Sequence, residues 1–280
     1  MSTVVEWIVW LFEIDSDRIW HVEAVRFSVW LFIWSIISII CDCAVARWSD
    51  SKRCFLNPSV KEGFRATAGS YITSLVHSLL VSFRGIDHIR RTLPLPMDVR
   101  IQPPLNVDSF DSEAWLGPLK TNRIFMAYLL IDMVRVIIAW PKLGQYDFIF
   151  HHLGFMSVSI VGATTISAPF QFGWLIVGEV STIFLNSRWF LIKLGYGATP
   201  IMTAANILFA LSFFIFRIVI YTFGVYELYY SSQYLTRPNL VGRCMLIGGI
   251  LIGYVLNIFW FKKIALLGFS KNQKEKGKTT

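Results

Sequence analysis

The sequence predicts an all-α polytopic membrane protein with about seven transmembrane helices, and two observations carry that prediction. Hydrophobic residues make up 55% of the 280-residue chain and charged residues only 16%, whereas charged residues account for about a quarter of a typical soluble domain. Several apolar runs also approach the roughly 20 residues that a helix needs to cross the hydrocarbon core of a bilayer. The composition therefore excludes an ordinary soluble domain.

The apolar segments follow one another along the chain and alternate with polar or proline-containing connections. Pro141, Pro169 and Pro200 separate several of them, because proline cannot complete the hydrogen bonds of a helix interior. Residues 84–121 are too polar to cross a membrane, and their prolines predict a capping loop with little regular structure. The predicted spans are residues 25–46, 65–83, 122–140, 148–167, 170–194, 203–223 and 243–267.

The net charge of +8 comes mainly from connections and the C-terminal tail, which indicates contact with anionic headgroups and no nucleic-acid partner. Placing the N-terminus outside puts more Lys and Arg on the cytosolic side, so the C-terminus is predicted to be cytosolic. We divide the chain into residues 1–59, with an interfacial segment, the first transmembrane helix and a basic loop; residues 60–268, the main membrane domain; and residues 269–280, a basic cytosolic tail.

The tail suggests a location for the protein. Lys276 and Lys278 are the fifth and third residues from the end, as in the dilysine address by which the COPI coat retrieves endoplasmic-reticulum membrane proteins. Such addresses are read by receptors and do not anchor a protein. The alternative is that the two lysines match the dilysine signal by chance, because the tail is rich in lysine.

Metal chemistry has little support in this sequence. The four cysteines form no CxxC pair, so they predict neither a disulfide framework nor a metal site. The chain has five histidines in all, too few for the histidine boxes of a membrane di-iron enzyme. We therefore expect no metal and no bound cofactor.

Polar side chains inside the spans are the functional candidates, because they are costly in hydrocarbon and usually face the bundle interior or a wet cavity. On the predicted topology they meet in one layer, a polar pocket that opens toward the cytosol. The adjacent histidines are the strongest candidates, although a structural pair near the interface is a serious alternative. The candidate residues are His77, Asp132, His151, His152, Glu179, Thr182, Asn186, Arg188, Asn206 and Asn257.

Several of these polar residues also have a purely structural interpretation. Asp132 and Arg135 lie one turn apart, which favours an internal ion pair. Arg217 is expected to snorkel to the outer headgroups or to pair with a carbonyl, and His77 is more often a satisfied bundle histidine than a catalyst. Helix–helix contacts alone would explain Asn206, Asn257, Gly249 and Gly253.

Taken in order, five stretches of this chain resemble the TLC-domain family, named for the TRAM, Lag1 and CLN8 proteins. The resemblance covers about residues 60–268, which we take as the TLC domain. It implies six helices bundled around a central lipid cavity, often with one extra N-terminal helix, in the endoplasmic reticulum or Golgi. The matching stretches are Arg65 with His77, residues 128–132, His151 with His152, residues 179–189 and residues 257–262.

Within that family, ceramide synthases use a histidine pair to transfer a fatty acyl group from acyl-CoA to a sphingoid amine. The resemblance implies that His151 or His152 is a general base or acyl carrier, for which imidazole is suited near neutral pH, with Glu179 or Asn186 orienting the ring. Ceramide synthases also carry a later His-Asp-x-x-Asp cluster, which this chain lacks. It is therefore closer to the TLCD-type branch, whose roles concern membrane lipid composition.

Three functions follow from the sequence. The first is an acyltransferase that binds acyl lipid or acyl-CoA, as a co-substrate, and acylates a lipid amine or hydroxyl. The second is a non-catalytic lipid sensor, transporter or regulator of membrane phospholipid composition. The third is a trafficking or cargo receptor, which the dilysine-like tail would also fit.

Overall fold

The computed structural model describes residues 17–103, 112–144 and 146–276, and over these residues it is helical without a strand. Proline at an N-terminal position begins several of the helices, where its missing N–H costs nothing. The helices are α1 (Asp17–Ser49), α2 (Pro58–Thr92), α3 (Met97–Ile101), α4 (Ser112–Ile138), α5 (Tyr146–Thr165), α6 (Pro169–Val177), α7 (Val180–Lys193), α8 (Pro200–Ser212), a π-helical segment (Phe213–Val219), α9 (Ile220–Ser231), a 3₁₀ turn (Ser232–Tyr234) and α10 (Leu240–Lys276).

Five stretches of the described chain are long and apolar enough to cross a membrane, which confirms a polytopic all-α protein. The predicted spans in α2 and α4 are not among them. Serines, threonines and a histidine lower the hydropathy of α2, and two arginines and an aspartate lower that of α4. The five stretches are Ala24–Ser49, Tyr146–Thr165, Pro169–Lys193, Pro200–Tyr234 and Leu240–Leu266.

Six helical units form a closed ring, and α1 lies outside it. Around the ring, α2 packs on α4, α4 on α5, α5 on α10, α10 on the π-helical segment, α8 on α7, and α6–α7 on α2. The outer helix α1 packs on α2 and α4, where the Trp34 indole donates a hydrogen bond to the Ile124 carbonyl over 3.0 Å. This is the arrangement of six helices plus one N-terminal helix that the family resemblance implies.

Small residues allow the ring helices to approach closely. A methyl group added to Gly249 on α10 would lie 2.7 Å from the Gly154 carbonyl oxygen on α5, and one added to Gly85 on α2 would lie 2.8 Å from Ile176. Small residues at such positions are a general device of membrane helix packing. The prediction that Gly249 serves close packing is thus confirmed.

Two sequence-based boundaries need correction. Residues 84–121 are not mainly irregular, because α2 continues to Thr92, α3 follows, and α4 begins at Ser112. The last predicted span ends at residue 267, but α10 continues into the predicted tail as far as Lys276. Most of the predicted interfacial segment, and the last four residues of the chain, lie outside the described residues.

Candidate functional site

A buried ion pair between Arg217 and Glu179 lies inside the ring. Arg217 is 7% exposed, and its Nη2 lies 3.0 Å from Glu179 Oε1. The same guanidinium donates to Ser181 Oγ over 2.8 Å and to Thr182 Oγ1 over 3.0 Å, and it lies 3.5 Å from Asn257 Oδ1. A charge in this setting is tolerable only with such a full set of partners.

Two departures from regular helix bring this pair together. The predicted continuous span 170–194 is broken at Gly178 and Glu179, where backbone N–H groups bond three residues back instead of four. The break presents the Gly178 carbonyl to Arg217 Nε, which donates to it over 3.1 Å. Arg217 itself lies in the π-helical segment, and such segments occur often at functional sites.

His152 is held by hydrogen bonds at both ring nitrogens. Nδ1 lies 2.8 Å from the Phe148 carbonyl oxygen, which can only accept, so Nδ1 must carry a proton. Nε2 lies 3.0 Å from Asp132 Oδ2. Because both nitrogens are engaged, His152 is a fixed partner of Asp132 and has no nitrogen left to act as a base in this arrangement.

His151 differs from its neighbour because its Nδ1 is buried without a hydrogen-bond partner. Its ring packs against Phe155 and Trp260, at centroid distances of 4.5 and 5.2 Å. It also lies close enough to His152 and Arg217 for their charges to act on it. Of the two adjacent histidines, His151 is therefore the one with a nitrogen available for chemistry.

A stripe of serines on α2 was missed by the sequence analysis, although its four-residue spacing is a readable signal because it places the side chains on one helix face. Ser70 Oγ accepts a hydrogen bond from Arg135 over 2.6 Å, and Ser74 Oγ accepts one from Asn186 over 3.0 Å. Ser78 Oγ lies 3.4 Å from Glu179 Oε2. The stripe thus joins α2 to α4, to Glu179 at the break between α6 and α7, and to α7 itself.

Tyr128 lies in the same polar layer, between the Arg217–Glu179 pair and the His152–Asp132 pair. Its hydroxyl lies beside Ser74 and Asp132, and its ring stacks on the His77 ring with centroids 3.6 Å apart. His77 is 1% exposed, and neither of its ring nitrogens has a hydrogen-bond partner. It lies in the layer as expected, but it is not the satisfied histidine that the structural interpretation assumed.

One expected pairing is wrong. Asp132 and Arg135 do not pair with each other: Asp132 binds His152, while Arg135 Nη2 lies 2.7 Å from Asp42 Oδ1 on α1. Of the two alternatives for Arg217, the structure shows the second: the side chain is buried and pairs with the Gly178 carbonyl instead of snorkelling outward. Asp132, Arg135 and Arg217 each pair with a residue on another element. Spacing along one helix cannot predict such pairs.

The orientation expected for the histidines also needs correction. Neither Glu179 nor Asn186 bonds to an imidazole, because Glu179 binds Arg217 and Asn186 binds Ser74. Asp132 takes that role. The candidates Arg188 and Asn206 form a separate pair between α7 and α8, with Arg188 Nε 2.6 Å from Asn206 Oδ1.

Two cavities of the bundle lie away from the layer. Of two cavities near the opposite end of the bundle, one of about 20 Å³ touches Asn122 and Phe172, and one of about 270 Å³ lies between α1, α2 and α4. Neither touches Glu179 or the adjacent histidines, so an open lipid cavity beside them stays a prediction. Within the described residues, no group of three His, Cys, Asp or Glu side chains could hold a metal ion.

A ring of membrane-spanning helices that encloses paired charges and two buried histidines defines an integral membrane protein with an intramembrane polar site. The chain belongs to the TLC domain family, because the TRAM, LAG1 and CLN8 model of that domain matches residues 25–266. The match includes the first predicted span together with the domain predicted over residues 60–268. Family membership supports a lipid-related role.

The chain is similar to several curated proteins named for this domain. It is 30% identical to TLC domain-containing protein 4-B of Xenopus laevis over 146 residues, which cover 49% of this chain and 54% of that protein. It is 29% identical to the Danio rerio 4-B protein, covering 61% and 69%, and 27% identical to human TLC domain-containing protein 4, covering 70% and 72%. The chain thus spans about half the length of the Xenopus relative. No solved structure matches it.

Proposed function

We propose that the protein acts in lipid metabolism in the endoplasmic-reticulum membrane, where His151 assists the transfer of an acyl group from acyl-CoA to a lipid amine or hydroxyl. The observation that carries the proposal is the buried, unpartnered Nδ1 of His151 beside the fixed pair of His152 and Asp132. A base needs a free nitrogen near neutral pH, and imidazole provides one.

The chemistry would divide between the two histidines. His151 takes a proton from the attacking amine or hydroxyl, which adds to the thioester carbonyl carbon. The tetrahedral intermediate then collapses, the C–S bond breaks, and the leaving CoA thiolate takes up the proton that His151 holds. His152 is anchored at both ring nitrogens by Asp132 and the Phe148 carbonyl, and it supports the position of His151 beside it. Arg217 keeps its bonds to Glu179 and supports the layer.

Acyl transfer by the purified protein tests this proposal. With a fluorescent acyl-CoA and a panel of lipid amines and hydroxyls, His151→Gln should lower the rate by about 10²-fold or more, the usual contribution of a general base. His88→Gln is a matched control, since His88 is another buried histidine but bonds to Thr121 outside the layer. Unchanged transfer in a folded His151→Gln protein would reject the proposal.

A non-catalytic lipid sensor or transporter is the second candidate. The bonding within the layer supports it, because His152 pairs with Asp132 and Glu179 pairs with Arg217, so these side chains are held in place by one another. On this alternative, the purified protein retains a lipid that mass spectrometry detects, and acyl-CoA is not consumed. Retention of the lipid by the purified protein would then depend on the polar layer inside the ring but not on the free nitrogen of His151.

The location and the coat partner are part of the proposal. The residues at Lys276 and Lys278 support retrieval to the endoplasmic reticulum by the COPI coat from a cytosolic C-terminus, and the trafficking or cargo-receptor function would use the same tail. Replacing both lysines by serine should shift a tagged protein to later compartments. Unchanged localisation would show that the COPI coat does not retrieve the protein through these two lysines.

A further inference from the structure

Trp260 on α10 reaches across to α5 and contacts both Asp147 and His151. Its indole Nε1 donates a hydrogen bond to Asp147 Oδ2 over 2.8 Å, and its ring lies 5.2 Å from the His151 ring, measured between centroids. Asp147 precedes His151 by four residues, which places both side chains on one face of α5. A single tryptophan therefore bridges two neighbouring positions on that face.

The Asp147 carboxylate that accepts the indole N–H has a defined position of its own. It lies in the first turn of α5, where the helix dipole favours a negative charge, and its Oδ1 accepts a hydrogen bond from the Phe148 N–H over 3.1 Å. Lys263, also on α10, has its Nζ 3.9 Å from Asp147 Oδ2, and the aspartate side chain is only 18% exposed. Trp260 is thus anchored to a carboxylate that is itself held at the start of α5.

The two adjacent histidines are held in different ways. Hydrogen bonds at both nitrogens fix the His152 ring, whereas the buried Nδ1 of His151 has no partner. Two aromatic rings contact the His151 ring instead: Phe155, one turn further along α5, at a centroid distance of 4.5 Å, and Trp260 from α10. Contact between rings restricts the rotation of an imidazole without using a nitrogen. A base needs both properties, because displacing a catalytic group by about 1 Å can cost about 10²-fold in rate.

We propose that Trp260, anchored by Asp147, is a positioning residue that fixes the orientation of the His151 ring and leaves its Nδ1 free. Trp260 acts through the imidazole, because its one donor, the indole N–H, is committed to the aspartate. The orientation of the ring can be measured without turnover. Its benefit to catalysis rests on the proposed function, in which His151 is the base.

Nuclear magnetic resonance of the full chain in detergent, with ¹³C-labelled histidine, tests the orientation. The Cε1–H signal of His151 is the one that His151→Gln removes. Asp147→Leu deletes the acceptor of the indole N–H and should shift or broaden this signal, because movement of the Trp260 ring changes the magnetic field at the imidazole. Asp147→Asn keeps an oxygen that can accept the N–H, so it should leave the signal in place. Circular dichroism and gel filtration check folding, and Asp147→Ala replaces the leucine variant if that variant does not fold.

Acyl transfer by the same proteins tests the benefit to catalysis. Trp260→Phe keeps an aromatic ring but loses the N–H, so kcat should fall about 10-fold while KM for acyl-CoA stays the same. Asp147→Leu should have the same effect, and the double variant should be no slower than either single variant, because each removes the same hydrogen bond. Asp147→Asn should retain the wild-type kcat. Trp189→Phe is the matched control, because the Trp189 ring stacks on Tyr71, with centroids 4.0 Å apart, instead of on a histidine.

The outcomes separate this proposal from the acyl-transfer proposal. If the wild-type protein transfers no acyl group but Asp147→Leu shifts the His151 signal, the proposed function fails and the positioning pair stands. If the signal of Asp147→Leu equals that of wild type, or if Asp147→Asn lowers kcat as much as Asp147→Leu does, the hydrogen bond does not position the ring and the proposal is overturned. A rise in KM for acyl-CoA with unchanged kcat in Trp260→Phe would also overturn it, because that result would place the tryptophan in substrate binding.

Discussion

At the scale of single residues, the interior of this bundle is governed by the cost of charge in hydrocarbon. Five hydrogen-bond contacts with two other elements offset the cost of burying the Arg217 charge. The Glu179 carboxylate accepts hydrogen bonds from both Arg217 and Ser78. Removing one member leaves the other buried without its partner, which costs more than the pair itself contributes. Arg217 is thus a structural centre of the layer that its position in the sequence did not reveal.

The pairing of Arg217 with Glu179 leads to the first prediction. Arg217→Met should lower the free energy of unfolding in detergent by about 3–5 kcal/mol, because Glu179 is left uncompensated. Adding Glu179→Gln should recover part of that loss, giving a coupling of about 0.5–3 kcal/mol in a double-mutant cycle. Strictly additive effects would mean that the two side chains do not interact.

His77 leads to the second prediction, in which a substitution is expected to stabilise the protein. Both of its nitrogens are buried without partners while its ring stacks on Tyr128, and a buried unsatisfied polar group costs about 1–3 kcal/mol. His77→Phe keeps the stacking and should therefore raise the melting temperature. His88→Phe, which breaks a 2.8 Å bond to Thr121, should lower it. A destabilised His77→Phe protein would show that this histidine has a partner in solution.

At the scale of elements, irregular backbone positions the site. The break between α6 and α7 exposes a carbonyl for Arg217, and the π-helical segment carries that arginine. Neither feature disturbs the hydrophobic pattern, because both fall inside apolar runs. Span prediction therefore found both helices but could not place their irregularities.

Contact between α5 and α10 leads to the third prediction. Gly249→Ala should destabilise the protein by about 1–3 kcal/mol, since the new methyl would meet the Gly154 carbonyl at 2.7 Å. Gly248→Ala is the matched control, because a methyl there meets nothing within 4 Å, and it should stabilise α10 by up to about 1 kcal/mol. Thermal unfolding of the two variants should move in opposite directions; parallel shifts would contradict the observed packing.

At the scale of the whole molecule, much of the architecture could be predicted from the sequence. The sequence predicted a polytopic all-α protein, and five of the described helical stretches are long and apolar enough to cross a membrane. His77, His152 and Asn257 are buried in the described structure, as expected of polar groups that lipid cannot satisfy. The partners could not be predicted. Which charge meets which depends on helix rotation and on the order of helices around the ring, and one sequence contains little information about either.

The ring also separates two polar regions. One holds the histidine pair inside the bundle, and the other is the cavity of about 270 Å³ between α1, α2 and α4, which basic side chains line near the opposite end of α4. Between them, the buried core is largely apolar and aromatic.

The most direct test of the central claim is an untargeted lipidome of cells that lack the protein and express it again as wild type or as a histidine variant. The account predicts that wild type and His88→Gln restore the altered lipid classes, whereas His151→Gln, expressed at the same level, does not. Full restoration by both His151→Gln and His152→Gln would contradict the claim that the buried histidine pair carries the function.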